Sequence, residues 1–180
     1  MQNLQVFKVP PKFRGKSLFI VQLWNMCYRI FFRHSPRSLN SWRRWLLRVF
    51  GAKIGKSVLI RPSAKILYPW KIKIGDWSWI GDNVTLYSMG EIIIGSNTVI
   101  SQNSYICTGS HDYTKERFDI FSRKIIIGDE VWIASDVFIF PNVTISNGAV
   151  ISARSTVQND LPPNMVCWGN PAKPMKSRLN

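Results

Sequence analysis

Aliphatic residues recur every six positions through most of this chain. The period holds over four runs, 54–66, 74–86, 94–106 and 127–157. An α-helix has a period of 3.6 residues and an isolated strand has a period of 2. A six-residue period therefore predicts a short strand followed by a corner, repeated many times. The members of this series are Ile54, Ile60, Ile66, Ile74, Ile80, Leu86, Ile94, Ile100, Ile106, Ile127, Ile133, Ile139, Ile145, Ile151 and Val157.

The residues between the aliphatic positions are small or β-branched at two recurring places. Gly, Ala or Ser often follows the aliphatic residue directly, and a small or β-branched residue often stands four positions after it. Such residues fit tight corners that admit no bulk. Three strand-and-corner units close one triangular coil, so we predict an all-β solenoid, a parallel β-helix of about five coils stacked about 4.8 Å apart.

The period is interrupted at three places, each after a third repeat. These places lie between Ile66 and Ile74, between Leu86 and Ile94, and between Ile106 and Ile127. All insertions therefore leave the predicted prism at the same corner, and the last forms a loop within 107–126. We expect a β-helix domain over 51–175, a basic helical segment over 1–50 and a short basic tail over 176–180.

Length and charge restrict the possibilities further. A chain of 180 residues fits one ordinary domain. The net charge is +14, and no Asp or Glu precedes Asp76. This imbalance favours an anionic partner, and nucleic acid, acidic phospholipid and a phosphate-bearing substrate all qualify.

Three cysteines without a C-x-x-C spacing predict neither a disulfide framework nor a zinc knuckle. The N-terminal residues lack the apolar run and cleavage site of a secretory signal. Both observations favour a cytoplasmic protein.

The basic N-terminal segment contains two apolar stretches. Residues 18–32 are too short and too polar to span a bilayer of about 30 Å. An amphipathic stretch, SWRRWLLRVFG, begins at Ser41 and ends at Gly51. One interpretation is a helix pair lying on anionic lipid at the inner face of the cell membrane, with the arginines and tryptophans at the headgroups. The other is a cap over the open end of the β-helix, and the two are compatible.

Two histidines provide the candidates for a base that titrates near neutral pH. His111 lies in CTGSHDY, where the third coil breaks into the long loop, five residues after the inward Ile106 and therefore on the outward side. It is our candidate general base, and a solvated loop histidine is the alternative. His34 lies between two apolar stretches and is interpreted as structural. Asp112 either orients the imidazole or is a turn residue.

Three strings, ICTGSHDY, IIIGDEVWIASDVFIFPNVTI and WGNPAKP, together with the basic, aromatic-rich sequence before FGAKIG, resemble the hexapeptide-repeat acyltransferase superfamily. Within it they are similar to sugar O-acetyltransferases of the colanic acid biosynthesis type. The resemblance implies a left-handed β-helix, a homotrimer, and transfer of an acetyl group from acetyl-CoA to a hydroxyl of a sugar or a lipid-linked glycan. Handedness comes from the resemblance alone, because parallel crossovers are right-handed by default.

The resemblance also implies residue roles. Asn83 corresponds to an acceptor-site residue, although Asn also suits a tight corner. Trp132, Ser135, Ala153 and Lys173 correspond to positions lining the pantetheine and phosphate groove for coenzyme A. Lys176 and Arg178 extend this basic end, either toward the CoA phosphates or as a plain tail.

Trp132 has a second interpretation, because it belongs to an outward apolar column. A monomer should not expose such a column, so it is expected to pack on a neighbouring subunit. The column consists of Leu59, Trp79, Val99, Trp132 and Val150.

Other functions fit less well. A zinc carbonic anhydrase of this fold needs three histidine ligands per metal, so no metal is expected. Cys107 is interpreted as an inert buried thiol, since nothing near it in sequence marks an activated thiolate. The rival of a different class is a non-enzymatic solenoid that binds anionic partners such as nucleic acid.

Overall fold

The computed structural model describes residues 2–179 and has a parallel β-helix with a helical segment at one end. The helical segment consists of a 3-10 turn Leu4–Val6, helix α1 Leu18–Cys27, a π-helical turn Tyr28–Phe32 and helix α2 Asn40–Val49. A further 3-10 turn, Pro69–Lys71, precedes the second coil.

The strands form three parallel sheets, which are the faces of a triangular prism. The first face contains β1 Lys53–Ile54, β4 Ile72–Ile74, β7 Ile92–Ile94, β12 Ile125–Ile127 and β15 Thr144–Ile145. The second face contains β2 Leu59–Ile60, β5 Trp79–Ile80, β8 Val99–Ile100, β13 Trp132–Ile133, β16 Val150–Ile151 and β18 Met165–Gly169, with β19 Ala172–Ser177 antiparallel at its end. The third face contains β3 Lys65–Ile66, β6 Thr85–Tyr87, β9 Tyr105–Cys107, β14 Phe138–Ile139 and β17 Thr156–Val157.

The six-residue aliphatic series forms the core, as the sequence predicts. Every member is at most 8% exposed. Register pairs each member with its counterpart one coil away, for example Ile60 with Ile80 and Ile80 with Ile100. Each corner takes the number of the face that precedes it along the chain.

Five coils are complete, and a partial sixth follows them. It consists of Leu161, bridged to Ile145, and of β18, paired with β16. The sequence prediction of about five coils missed it, because Leu161 stands four residues after Val157, out of phase with the series, and prolines follow at 162 and 163.

The first coil exposes an edge made of carbonyl groups. Its strands donate their N–H groups to the second coil, as from Leu59 to the Ser78 oxygen at 3.0 Å. The carbonyl groups of the first coil that face away from the second coil have no neighbouring strand to donate to them. They therefore need hydrogen-bond donors from another part of the chain.

Side chains of the helical segment supply these donors. The contacts are Arg48 to the Ile54 and Gly55 oxygens, Arg44 to Val58, Arg43 to Ile60, Tyr28 to Ala64 and Trp24 to Ile66. Arg and Trp side chains only donate, which suits an edge that presents acceptors. The helical segment is thus a cap, and we call residues 2–52 the cap.

The direction of three arginines corrects one sequence expectation. Arg43, Arg44 and Arg48 point at the first coil and not at a headgroup layer. Arg43 is fully buried, and this burial lowers the pKa of its guanidinium. Part of the positive charge therefore satisfies backbone carbonyls, and only the remaining cations are available to an anionic partner.

Hydrogen bonds also hold the C-terminal residues of the described chain against the β-helix. β19 pairs with β18, so Lys176 lies in a strand opposite Val166. Arg178 donates to the carbonyl oxygens of Glu130 and Gly148.

Within 2–179, no helix combines the length and the apolar character needed to cross a bilayer.

Candidate active site

A short hairpin carries His111 away from the prism at the third corner. It comprises β10 Gly109–His111 and β11 Ile120–Ser122, with His111 opposite Ile120. The base of the hairpin is anchored by Thr108, whose buried hydroxyl donates to the Tyr87 oxygen at 2.6 Å. A Cβ at Gly109 would lie 2.5 Å from the Met89 sulfur, so a larger residue there would have to displace that flexible side chain.

The His111 imidazole is held by a backbone carbonyl. Its Nδ1 lies 2.9 Å from the Phe118 oxygen. A carbonyl oxygen can only accept, so Nδ1 carries the proton and Nε2 of the neutral ring keeps a free lone pair. The imidazole also stacks on the Phe118 ring, with centroids 4.3 Å apart and planes at 7°. This is the tautomer that a general base acting through Nε2 requires.

Two residues at this imidazole were missed by sequence reasoning. Phe118 has a φ of 48°, and this left-handed backbone forms part of the turn that faces His111. Phe7, from the start of the chain, places its ring centroid 5.7 Å from the imidazole. Asn3 secures that segment by donating from its N–H to the Glu116 oxygen at 2.7 Å. No local pattern marks either phenylalanine as part of a site.

Asp112 has the hydrogen bonds of a turn residue. Its Oδ1 accepts from the Thr114 N–H at 3.1 Å and from the Thr114 hydroxyl, and these bonds lower the pKa of the carboxyl. Its Oδ2 lies 3.5 Å from the Lys115 ammonium. The carbonyl of Phe118 orients the imidazole. The contacts of Asp112 are therefore those of a turn residue and not those of a group that orients His111.

Two clefts flank the hairpin. One, of about 560 Å³, is lined by His111 and the turn that follows it, and the other, of about 510 Å³, reaches Phe140 and Gln158. Ser110, Phe121 and Arg123 line both. The His111 cleft is large enough and polar enough for a sugar.

Asn83 lies at another edge of the prism. It follows β5 at the second corner, with a φ of 57° and an exposed side chain. Its N–H donates to the Ser63 hydroxyl at 3.1 Å. Within one chain the structure does not bring Asn83 and His111 to the same corner.

The four residues predicted for coenzyme A lie on the second face and at the corner that follows it. Ser135 and Ala153 occupy the second corner in successive coils, and the next residue, Arg154, donates from its N–H to the Ser135 oxygen at 3.0 Å. Lys173 pairs with Trp168 one layer further on. Trp132 lies beside them on the second face, and its indole donates to Ser101.

The second face also carries the outward apolar column that the sequence predicts. Register aligns Trp79 with Val99, Val99 with Trp132, and Trp132 with Val150. Trp79 is 52% exposed and Trp132 is 49% exposed. Such a column is unusual on the surface of a monomer.

Neither a nucleophilic thiol nor a ligand cluster is found near the hairpin. Burial raises the pKa of the Cys107 thiol, which donates to the Gly109 oxygen. It is therefore a protonated thiol at neutral pH. In the part of the chain from 2 to 179, no three His, Cys, Asp or Glu side chains come together as metal ligands would.

Comparison with known proteins gives close relatives. The chain is 53% identical over 179 residues to WcaF of Escherichia coli K12, whose name provisionally describes it as a colanic acid biosynthesis acetyltransferase, and the alignment covers 99% of this chain and 98% of WcaF. No protein-family model matches the chain.

Solved structures of other acetyltransferases share the fold. A maltose O-acetyltransferase from Clostridium difficile 630 has a TM-score of 0.82 at 26% identity, covering 92% of this chain and 95% of that one. The hexapeptide-repeat acetyltransferase VCA0836 from Vibrio cholerae O1 biovar eltor, complexed with acetyl coenzyme A, has a TM-score of 0.83 at 26% identity, covering 92% of each chain.

Proposed function

The chain belongs to the colanic acid biosynthesis acetyltransferases, left-handed β-helix members of the hexapeptide-repeat superfamily, and on that premise we propose that it acetylates a sugar hydroxyl. The donor is acetyl-CoA, and the product enters an exopolysaccharide or another surface glycan. The observation that carries the proposal is the His111 imidazole, whose Nδ1–H is engaged by Phe118 while Nε2 stays free in a side chain lining a cleft. The relatives favour this enzyme over a non-enzymatic anion-binding solenoid.

The proposed reaction is a direct transfer. Nε2 of His111 takes the proton of the sugar hydroxyl as that oxygen forms a bond to the thioester carbonyl carbon. The bond from carbon to sulfur then breaks, the sulfur leaves with the electron pair, and the imidazolium returns the proton to it. The Phe118 oxygen, which accepts from Nδ1–H, stabilises the imidazolium between these steps.

The edge formed by Trp132, Ser135, Ala153 and Lys173 is the proposed groove for coenzyme A. A shallow corner of small side chains admits the narrow pantetheine arm. Lys173 and Lys176 are both exposed on β19, where their ammonium groups suit the CoA phosphates. Arg178 is already bound to two carbonyl oxygens, so we do not assign it to the phosphates.

We propose a homotrimer, because the catalytic parts are divided between corners. His111 leaves the prism at the third corner, whereas the groove residues and Asn83 lie at the second. A neighbouring chain that packs on the second face would bring its own hairpin to this groove, and a cyclic arrangement repeats the contact three times. The exposed column with Trp79 would then be covered.

We predict that Trp79→Glu dissociates the trimer, since it puts a charge in the middle of that column. The measurement is the mass in solution by light scattering, with acetyl transfer assayed alongside. Trp77→Glu is the matched control, because Trp77 is exposed but lies outside the column. A monomeric wild type at active concentration, or an unchanged mass for Trp79→Glu, would contradict the proposed interface.

We further predict that Cys107→Ala keeps acetyl transfer within about threefold of wild type, because a protonated thiol takes no part in direct transfer. The rate of CoA release from acetyl-CoA is the measurement. A loss comparable to that of a catalytic residue would instead indicate an acyl-enzyme on Cys107.

The reaction is proposed to occur in the cytoplasm, where acetyl-CoA is available. The function is tested by acetyl-CoA turnover against a panel of free, nucleotide-linked and lipid-linked sugars. Turnover that depends on one acceptor class identifies the substrate, and no CoA release with any acceptor would defeat the proposal.

A further inference from the structure

The cap leaves a large apolar surface exposed on its outer side. Trp24, Phe32, Leu46 and Leu47 are buried, and they belong to the core that the cap shares with the coils. A set of nine large apolar side chains remains exposed, and we call it the outer cap face. It consists of Leu18, Phe19, Met26, Ile30, Phe31, Leu39, Trp42, Trp45 and Val49.

Contacts join the part of the outer cap face on α2 to the part on the π-helical turn that follows α1. The Trp42 indole donates to the Phe31 oxygen at 3.1 Å, which joins the start of α2 to the end of the π-helical turn. Trp42 and Trp45 stack with centroids 5.0 Å apart, and Val49 follows on the same side of α2. Phe19 is 74% exposed and Trp45 is 51% exposed. An apolar surface of this extent normally has a partner.

The charges beside this face are positive. Arg29 and Arg33 are exposed in the same helical segment as Ile30 and Phe31, on the side that borders the third face of the β-helix. No carboxylate precedes Asp76 in the chain, and the cap's ion pair in the described residues is that of Arg37 with Asp82. Once the arginines that bind the first coil are set aside, these cations still lack an acidic neighbour on their own segment.

We propose that the outer cap face binds the surface of a bilayer that contains anionic phospholipid. Tryptophan and phenylalanine beside arginine is the composition of an interfacial helix, in which apolar side chains enter the headgroup boundary and cations meet lipid phosphates. Neither α1 nor α2 spans a bilayer, so the contact is peripheral. The face lies at the end of the β-helix that the cap covers, whereas the apolar column runs along the second face.

The test is co-sedimentation of the full chain with phosphatidylglycerol-containing and pure phosphatidylcholine vesicles at low and high salt. Arg29→Gln with Arg33→Gln should weaken binding to the anionic vesicles about thirtyfold, the size expected for two basic groups at such a surface. Phe19→Gln with Trp45→Gln should weaken binding at both salt concentrations. Lys73→Gln with Lys124→Gln removes the same charge from the first-face side of the β-helix and should have little effect.

Point variants are preferable to deletion of the cap, because deletion would strip donors from the first coil. Equal binding to neutral vesicles, or no binding to either kind, overturns the proposal. A second copy of the chain on this face would appear as a mass that falls in the Phe19→Gln, Trp45→Gln variant without any vesicle binding, and this also overturns it. Acetyl transfer to a soluble acceptor should stay intact in all variants, so failure here is distinct from failure of the proposed enzyme.

Discussion

Replacement of His111 by alanine is expected to lower kcat/KM for acetyl transfer by at least about a hundredfold, the size typical for loss of a general base. The imidazole is the group near the hairpin turn whose free nitrogen suits proton transfer, because Phe118 fixes the proton on Nδ1. Binding of CoA should survive, since other residues than His111 form the proposed CoA groove. The measurements are steady-state CoA release and the dissociation constant for CoA.

His34→Ala is the matched control for this variant. His34 is exposed in the cap, far along the chain from the hairpin. Its replacement should leave turnover within about twofold, as for a surface substitution. Near-normal turnover in His111→Ala would remove the mechanism, and a parallel loss of CoA affinity would show that the imidazole binds the donor and does not act as the base.

Replacement of Arg43 by methionine is expected to lower the free energy of unfolding by about 3–5 kcal/mol, the cost of leaving several buried acceptors without a donor. The guanidinium donates to the Ile60 oxygen at 2.6 Å and to four further acceptors within the cap. Methionine fills similar space but donates nothing. The loss should appear as a lower midpoint of urea unfolding, measured at one protein concentration because assembly affects stability.

Arg37→Met is the comparison that separates burial from charge. The Arg37 guanidinium is exposed and pairs with Asp82 at 2.7 Å, so its loss should cost no more than about 1 kcal/mol. Equal effects of the two substitutions would contradict the view that the cap stabilises the β-helix through buried donors.

The fold was predictable because its rule is local and repeated. Each coil needs an aliphatic side chain at the same inward position and a small residue at the next corner. The stacking of Ile60, Ile80 and Ile100 can therefore be predicted from their spacing in the sequence. The interruptions placed the long insertion at the third corner, and its break at CTGSHDY indicated His111. The partial sixth coil escaped because Leu161 is out of phase.

The sequence by itself determined the repeat, the position of the insertion and the excess of donors in the first fifty residues. Only the tertiary structure decided what those donors meet: an amphipathic arginine-rich helix has the same pattern whether Arg43 faces lipid phosphates or the Ile60 carbonyl. The same holds for the partner of the His111 imidazole, which is the backbone oxygen of Phe118. Every residue type carries such an oxygen, so the sequence does not show which residue provides it. A hydrogen bond to the main chain depends on the path of the folded backbone and not on the side chain of the residue that accepts it.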